Sequence, residues 1–272
     1  MPKSLARRIR KWFIVIAILY LLGGILFYFF QEKIFFQPTK LEADHKYNIT
    51  VPYKELNLPI TADRNLAIVQ FTVPDSLCRG IVLYFHGNMS NIERYAQYAP
   101  YFTKHNYEVW MMDYPGYGKS TGKRSEDVLY EDAMTLYNMA RSRFTPDSII
   151  LYGRSIGTGV ASHLATQRNA KRLILETPYY NFPSLVKRYL PFYPINWLVH
   201  YNFPNNENLL KVPEPITIFH GTEDEVINYK NSKKLIPILK PNDEFITIKG
   251  GNHNGLYDHP ETIRKLDSLL AL

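Results

Sequence analysis

Gly153-Arg154-Ser155-Ile156-Gly157 sets a serine between two glycines, two residues away on either side. A sharp strand-to-helix turn brings those flanking positions close together, so both need minimal side chains. Such a turn aims the Ser155 hydroxyl out of the sheet beside a helix N-terminus, where backbone N–H groups favour developing negative charge. The chemistry this suits is attack on an acyl carbonyl. A serine hydroxyl is a weak nucleophile, so it needs a base, and the base needs an orienting acid. His253 lies in the loop GGNHNG (250–255) and Asp224 in HGTEDE (220–225), which gives the chain order Ser155, Asp224, His253. Glu176 is the second candidate for the acid, while Glu223 and Glu225 read as solvent-facing charge. Two N–H donors must converge on the oxyanion. Ile156, next after the serine, supplies one, and Asn88 of the HGN loop (86–88) is the choice for the other, with Met89 as its alternative. Each signal has a plainer reading: a glycine-rich connection kept tight for packing, and a solvated loop histidine. His86 reads as a structural hydrogen-bonding residue and His163 as a helix residue.

These residues need a scaffold that gathers loops. Apolar runs bounded by Gly or Pro at 80–86, 107–113, 148–152, 172–176, 215–220 and 244–248 have the length and β-branched content of buried strands. Helical segments are expected at 92–105, 125–144 (Ser125 opening a capping box), 156–168 and 231–239. A hairpin is expected over 53–73, turning near 61–65. Strands alternating with helices predict an α/β fold with a mostly parallel central sheet and right-handed crossovers. In such sheets sites gather at the carboxyl ends of the strands, where all the residues above fall.

Residues 12–30 form a nineteen-residue stretch without a charge. A helix of that length spans roughly 28 Å, close to the ~30 Å hydrocarbon core of a bilayer. A core helix rarely stays uncharged all round for five turns, and no small-residue cleavage site follows, so an uncleaved signal anchor is expected. Lys3, Arg7, Arg8, Arg10 and Lys11 precede it and a balanced Glu32/Lys33 pair follows. The positive-inside rule then keeps segment 1–11 in the cytosol and sends the rest across, into the periplasm if the cell is bacterial. Segment 31–50 is expected to be a juxtamembrane linker whose Ile34, Phe35 and Phe36 fold back onto the domain or the membrane interface. The catalytic domain is expected over 51–272.

Composition narrows the alternatives. With 46% apolar and 21% charged residues the chain is neither disordered nor repetitive. The single Cys78 excludes an internal disulfide or a Cys-based metal site, and no histidine pair has metal-ligand spacing, so no metal and no cofactor is expected. The formal charge of +7 is concentrated ahead of the apolar stretch. The remainder carries 27 basic against 25 acidic side chains, which argues against nucleic acid as a partner. The sequence carries no signal for oligomeric state.

FHGN, DYPGYGKSTG, GRSIG, HGTEDEVI and the final GNH resemble the α/β-hydrolase superfamily over nearly all of residues 50–272. With the FFQPTK leader after the apolar stretch, the chain is similar to a membrane-anchored branch of it. That branch resembles the serine aminopeptidase-like (S33) hydrolases and the animal α/β-hydrolase-domain proteins that include protein depalmitoylases. The resemblance implies a Ser–Asp–His hydrolase using Ser155, Asp224 and His253, acting on an ester, a thioester or an amide. A large cap domain is absent, and the insert at 178–211 holds nine aromatics in 34 residues. That lining suits an apolar, lipid-like or acylated substrate, although ordinary packing of two short helices would also use it. The reading favoured is ester or thioester hydrolysis. A serine aminopeptidase or amidase, with Glu176 or Glu223 holding a free amine, and a catalytically idle membrane scaffold are the competing readings.

Overall fold

The computed structural model describes residues 3–271; Met1 and Pro2, which open the basic segment 1–11, and Leu272 lie outside the described residues. In chain order the strands are β1 (Gln37–Pro38), β2 (Lys54–Pro59), β3 (Asn65–Phe71), β4 (Gly80–Phe85), β5 (Met89–Ser90), β6 (Tyr107–Met112), β7 (Ile149–Arg154), β8 (Arg172–Glu176), β9 (Ile216–Gly221) and β10 (Glu244–Ile248). The helices are α1 (Lys3–Phe35), α2 (Ile92–Tyr95), α3 (Pro100–Thr103), α4 (Glu126–Arg141), α5 (Gly157–Gln167), α6 (Phe182–Tyr189), α7 (Ile195–Leu198), α8 (Asn205–Asn208), α9 (Tyr229–Ser232) and α10 (Pro260–Ala271).

Among the described residues, eight strands make one sheet in the order β10-β9-β8-β7-β4-β6-β3-β2. The β2–β3 hairpin and its junction with β6 are antiparallel, and the other pairs are parallel. Every residue of β4, β6, β7 and β9 is buried, as continuous apolar runs must be when both faces of a parallel sheet are covered. Leu83, Leu151 and Leu175 belong to the core on the α4/α5 side. Val82, Ile150 and Ile174 belong to the core on the other side, together with Phe102 and Leu266. This alternation follows the two-residue period of a strand. β4 has β6 on one side and β7 on the other, so the strand order reverses there, where an open α/β sheet leaves a crevice at its carboxyl ends.

The expected strands and the long helix after Ser125 are present, and the Ser125 side chain caps that helix at Val128 N. Two expected helices are instead broken. Residues 92–105 become α2, a 3-10 turn and α3, with Pro100 opening the second helix. Residues 231–239 become a 3-10 run carrying Pro237 after the short α9. Proline has no N–H for the preceding turn, so an apolar period cannot carry one α-helix through it. The insert at 178–211 contains three short helices, α6, α7 and α8, rather than two.

Helix α1 continues five residues past the uncharged stretch. Gln31, Glu32, Lys33, Ile34 and Phe35 contain no breaker, and the chain turns only before Pro38. The segment expected as a linker is therefore partly helix and partly strand. β1 pairs in parallel with β5, and Phe36 is buried against Tyr201 with the Arg124 guanidinium over its ring at 4.2 Å. From Trp12 to Leu19 α1 leaves its large apolar side chains uncovered, Phe13 and Leu19 among them.

Candidate active site

β7 ends in Arg154 and α5 begins at Gly157, so Ser155 occupies the turn between them with φ of +52°. That left-handed conformation is strained for a residue with a side chain, and it persists because the turn is clamped. A Cβ at Gly153 would sit 2.6 Å from Gly157 O, and a Cβ at Gly157 would collide with Phe85 O of the neighbouring strand. The Ser155 amide donates to Glu176 O at 2.9 Å, and Thr158 returns both its amide and its hydroxyl to Ser155 O.

Three loops meet above this turn. His253 Nε2 lies 3.1 Å from Ser155 Oγ, and His253 Nδ1 lies 2.8 Å from Asp224 Oδ2. The other Asp224 oxygen, Oδ1, accepts the Val226 and Ile227 amides at 2.9 and 2.7 Å. Ser155, Asp224 and His253 are each buried, so the chain of hydrogen bonds is shielded from bulk water. His220, which spacing did not single out, stands behind the acid. Its Nε2 donates to Ile227 O at 2.8 Å and lies 3.4 Å from Asp224 Oδ2. Burial holds the His220 pKa below its ordinary value despite that carboxylate, so the ring adds no cation beside Asp224.

The HGN loop approaches from β4. His86 is fully buried, with Nδ1 2.7 Å from Gly87 O, Nε2 3.3 Å from Asp113 Oδ1, and the rings of Tyr95 and Tyr114 against it. Tyr114 donates to His86 O and Tyr117 to Asn88 O, which fixes the loop that carries Asn88. The backbone amides of Asn88 and Ile156 are bonded to no other group among the described residues. Both residues line one cavity with Ser155.

Glu176, the second candidate acid, is placed elsewhere. Its Oε2 accepts the Tyr152 hydroxyl at 2.7 Å, and Arg154 Nε lies 3.4 Å from Oε1, with both charged side chains buried. Arg154 also reaches Asn254 O and stacks over Tyr98. Glu176 therefore neutralises a buried guanidinium that braces the His253 loop. Removing one partner of a buried pair costs about 3–5 kcal/mol, because the other charge is left uncompensated. Glu176→Gln should lower the denaturation midpoint accordingly, while kcat per folded molecule stays within about tenfold. A normal midpoint with kcat reduced ~10⁴-fold, the penalty for a lost triad acid, would instead hand Glu176 the acid's role.

The cavity around Ser155 encloses about 490 Å³, within the ~300–1,000 Å³ of small-molecule sites. Its walls come from the insert (Phe182, Leu185, Val186, Leu190) and from α1 (Phe27, Ile34, Phe35), and among the described residues no charged side chain lines it. The fold-back of Ile34 and Phe35 onto the domain is as expected, but the entry of Phe27 into the cavity has no signature in the sequence. Nothing in the spacing of an apolar stretch says that its far end will meet a loop more than fifty residues on, as Phe35 O does by accepting Asn88 Nδ2.

Comparison with known proteins agrees with this architecture. The serine aminopeptidase S33 family model matches residues 77–205. α/β-Hydrolase domain-containing protein 17C of Xenopus tropicalis is 31% identical over 201 residues, covering 71% of this chain and 62% of that protein. The chain belongs to the α/β-hydrolase superfamily. The human 17C protein is 29% identical to this α/β-hydrolase over 201 residues, covering 71% of the chain and 58% of the relative. The chain thus spans about three fifths of the length of the curated relatives it matches. Among solved structures, an esterase of Pyrococcus furiosus superposes with a TM-score of 0.65 at 16% identity, covering 86% of this α/β-hydrolase and 96% of the esterase. A serine hydrolase homologue from Coxiella burnetii does so at 0.58 and 20%, covering 83% and 98%. At those identities the likeness concerns the fold alone.

Proposed function

We propose that this protein is a membrane-anchored serine hydrolase that cleaves carboxylic esters or thioesters. The observation that carries the reading is the continuous chain Ser155 Oγ–His253 Nε2 (3.1 Å) and His253 Nδ1–Asp224 Oδ2 (2.8 Å), ending in an uncharged cavity. His253 takes the proton of Ser155 as the oxygen attacks the acyl carbonyl, and Asp224 holds the imidazole with its proton on Nδ1 and stabilises the imidazolium. The Asn88 and Ile156 amides receive the oxyanion, the latter at the N-terminus of α5. His253 returns its proton to the leaving alcohol or thiol, and water then hydrolyses the acyl-enzyme by the same steps in reversed roles. The residues require no metal or cofactor for this sequence of steps.

The cavity favours an acyl group over an amino-acyl group. An aminopeptidase needs an anion for the free amine, yet Glu176 is committed to Arg154 and Glu223 opens onto a separate surface cavity. A side-by-side panel of acyl esters of graded length, acyl thioesters and aminoacyl amides tests the reading. Turnover of the first two and not the third is expected; preference for the amides would replace it with the peptidase reading, and no turnover of any would favour the scaffold.

The uncharged stretch 12–30 lies wholly within α1, and its large apolar side chains from Trp12 to Leu19 are exposed, which suits a bilayer-spanning helix. With five basic residues before it, the catalytic domain should face the extracytoplasmic side. Protease added outside intact spheroplasts should cut the domain, whereas protection there would place it in the cytosol.

A further inference from the structure

We infer that the tip of the insert, around Phe192 and Trp197, lies inside the bilayer beside α1, so that the Ser155 cavity takes its acyl chain directly from the leaflet. This rests on the proposal above that α1 spans a membrane, and deepens it by naming where the substrate comes from.

The insert grips α1 far along its length. Tyr20 donates to Phe192 O at 2.8 Å, Tyr193 donates back to Tyr20 O at 2.9 Å, and the two rings stack at 4.5 Å. Gly23 and Gly24 leave room for Tyr193, since a Cβ on Gly23 would fall 2.5 Å from its hydroxyl. Eleven residues on, Gln31 is fully buried, donating to Leu198 O and accepting from His200 N. The helix and the insert are therefore latched at two levels about 16 Å apart along the axis.

Length then decides depth. The uncharged helix free of the insert, from Trp12 to Leu19, rises only about 12 Å, less than half of a ~30 Å hydrocarbon core. The rest of that thickness has to be crossed by the part of α1 that the insert covers, so the insert enters the leaflet with it. Its surface suits that solvent: Phe192 and Trp197 are each 86% exposed and Tyr189 57%. A second cavity between α1 and the insert, about 260 Å³, is lined by apolar and aromatic residues with Gly24. Lys187, at the C-terminal end of α6, turns its ammonium back onto Tyr193 O at 2.9 Å, which gives its charge a backbone partner at the insert tip. The catalytic cavity extends from Ser155 along α1 to Phe27, which belongs to the uncharged stretch. Its far end thus sits at hydrocarbon depth.

Tryptophan quenching in the full-length protein tests this. Trp12→Phe leaves Trp197 as the reporter, Trp197→Phe leaves Trp12, and the double substitution gives the baseline of buried Trp110. Each is reconstituted into vesicles of phosphatidylcholine brominated in mid-chain and into unbrominated vesicles. The emission of both Trp12 and Trp197 should fall strongly in brominated lipid while the baseline holds. Quenching of Trp12 without Trp197 would overturn the inference and leave the anchor standing; failure to quench Trp12 would overturn both. Phe192→Asp with Trp197→Asp should slow hydrolysis of a long-chain ester carried in the vesicles and spare a water-soluble short-chain ester. Equal rates on the vesicle-borne ester would overturn delivery from the leaflet.

Discussion

Replacing Ser155 with alanine should lower kcat on an activated ester by on the order of 10⁶, the loss measured when a triad serine is removed from another serine hydrolase. Ser155 is the only side-chain oxygen hydrogen-bonded to His253 Nε2 among the described residues, so no neighbour stands ready to substitute. The fold should survive. Ser155 contributes its backbone to the turn, through its amide to Glu176 O and its carbonyl to Thr158, and alanine keeps both. Some strain at φ of +52° persists in the variant, so its denaturation midpoint should stay close to wild type. Equal turnover of the two proteins at equal purity would remove Ser155 from the mechanism.

Asp224→Asn should cost roughly 10⁴ in kcat, the penalty for presenting the wrong imidazole tautomer. The geometry dictates how the amide must sit. Asp224 Oδ1 accepts two backbone amides, from Val226 and Ile227, so an asparagine must keep its oxygen there. Its NH₂ then points at His253 Nδ1, which can only accept, and the ring proton moves to Nε2. In that state His253 cannot take the Ser155 proton. The loss should therefore appear in kcat with little change in KM, because the cavity walls are untouched. A near-normal Asp224→Asn beside a crippled but stably folded Glu176→Gln would reverse the assignment of the acid.

The strands were legible because burial on both faces demands mostly apolar runs, and those of β7 and β9 lead directly into the loops that carry Ser155 and Asp224. The turn at Ser155 was legible for a related reason, since Gly153 and Gly157 are needed where β4, β7 and α5 approach within atomic contact. The helices at Pro100 and Pro237 were overread, with apolar periodicity outweighing the missing N–H. The extent of α1 was underread, because charge marks where a bilayer ends and not where a helix does. What the sequence could not display is which residues α1 meets at the site. Gln31 against Leu198 and His200, and Phe35 against Phe182 and Asn88, join positions far apart in the chain, and tertiary pairing of that kind leaves no period or motif. His220 escaped for another reason, since a histidine at a strand end announces neither its tautomer nor its neighbour.

The most direct measurement is to treat the full-length protein with a fluorophosphonate, digest it, and locate the adduct by mass spectrometry, in wild type and in His253→Ala. A serine activated by a hydrogen-bonded imidazole attacks the phosphorus and expels fluoride, leaving a stable phosphonyl ester on its oxygen. The adduct should lie on Ser155 alone in the wild-type protein and be nearly absent from His253→Ala. An unmodified Ser155, or an adduct on another residue that forms equally fast without His253, would contradict a Ser155–His253–Asp224 hydrolase.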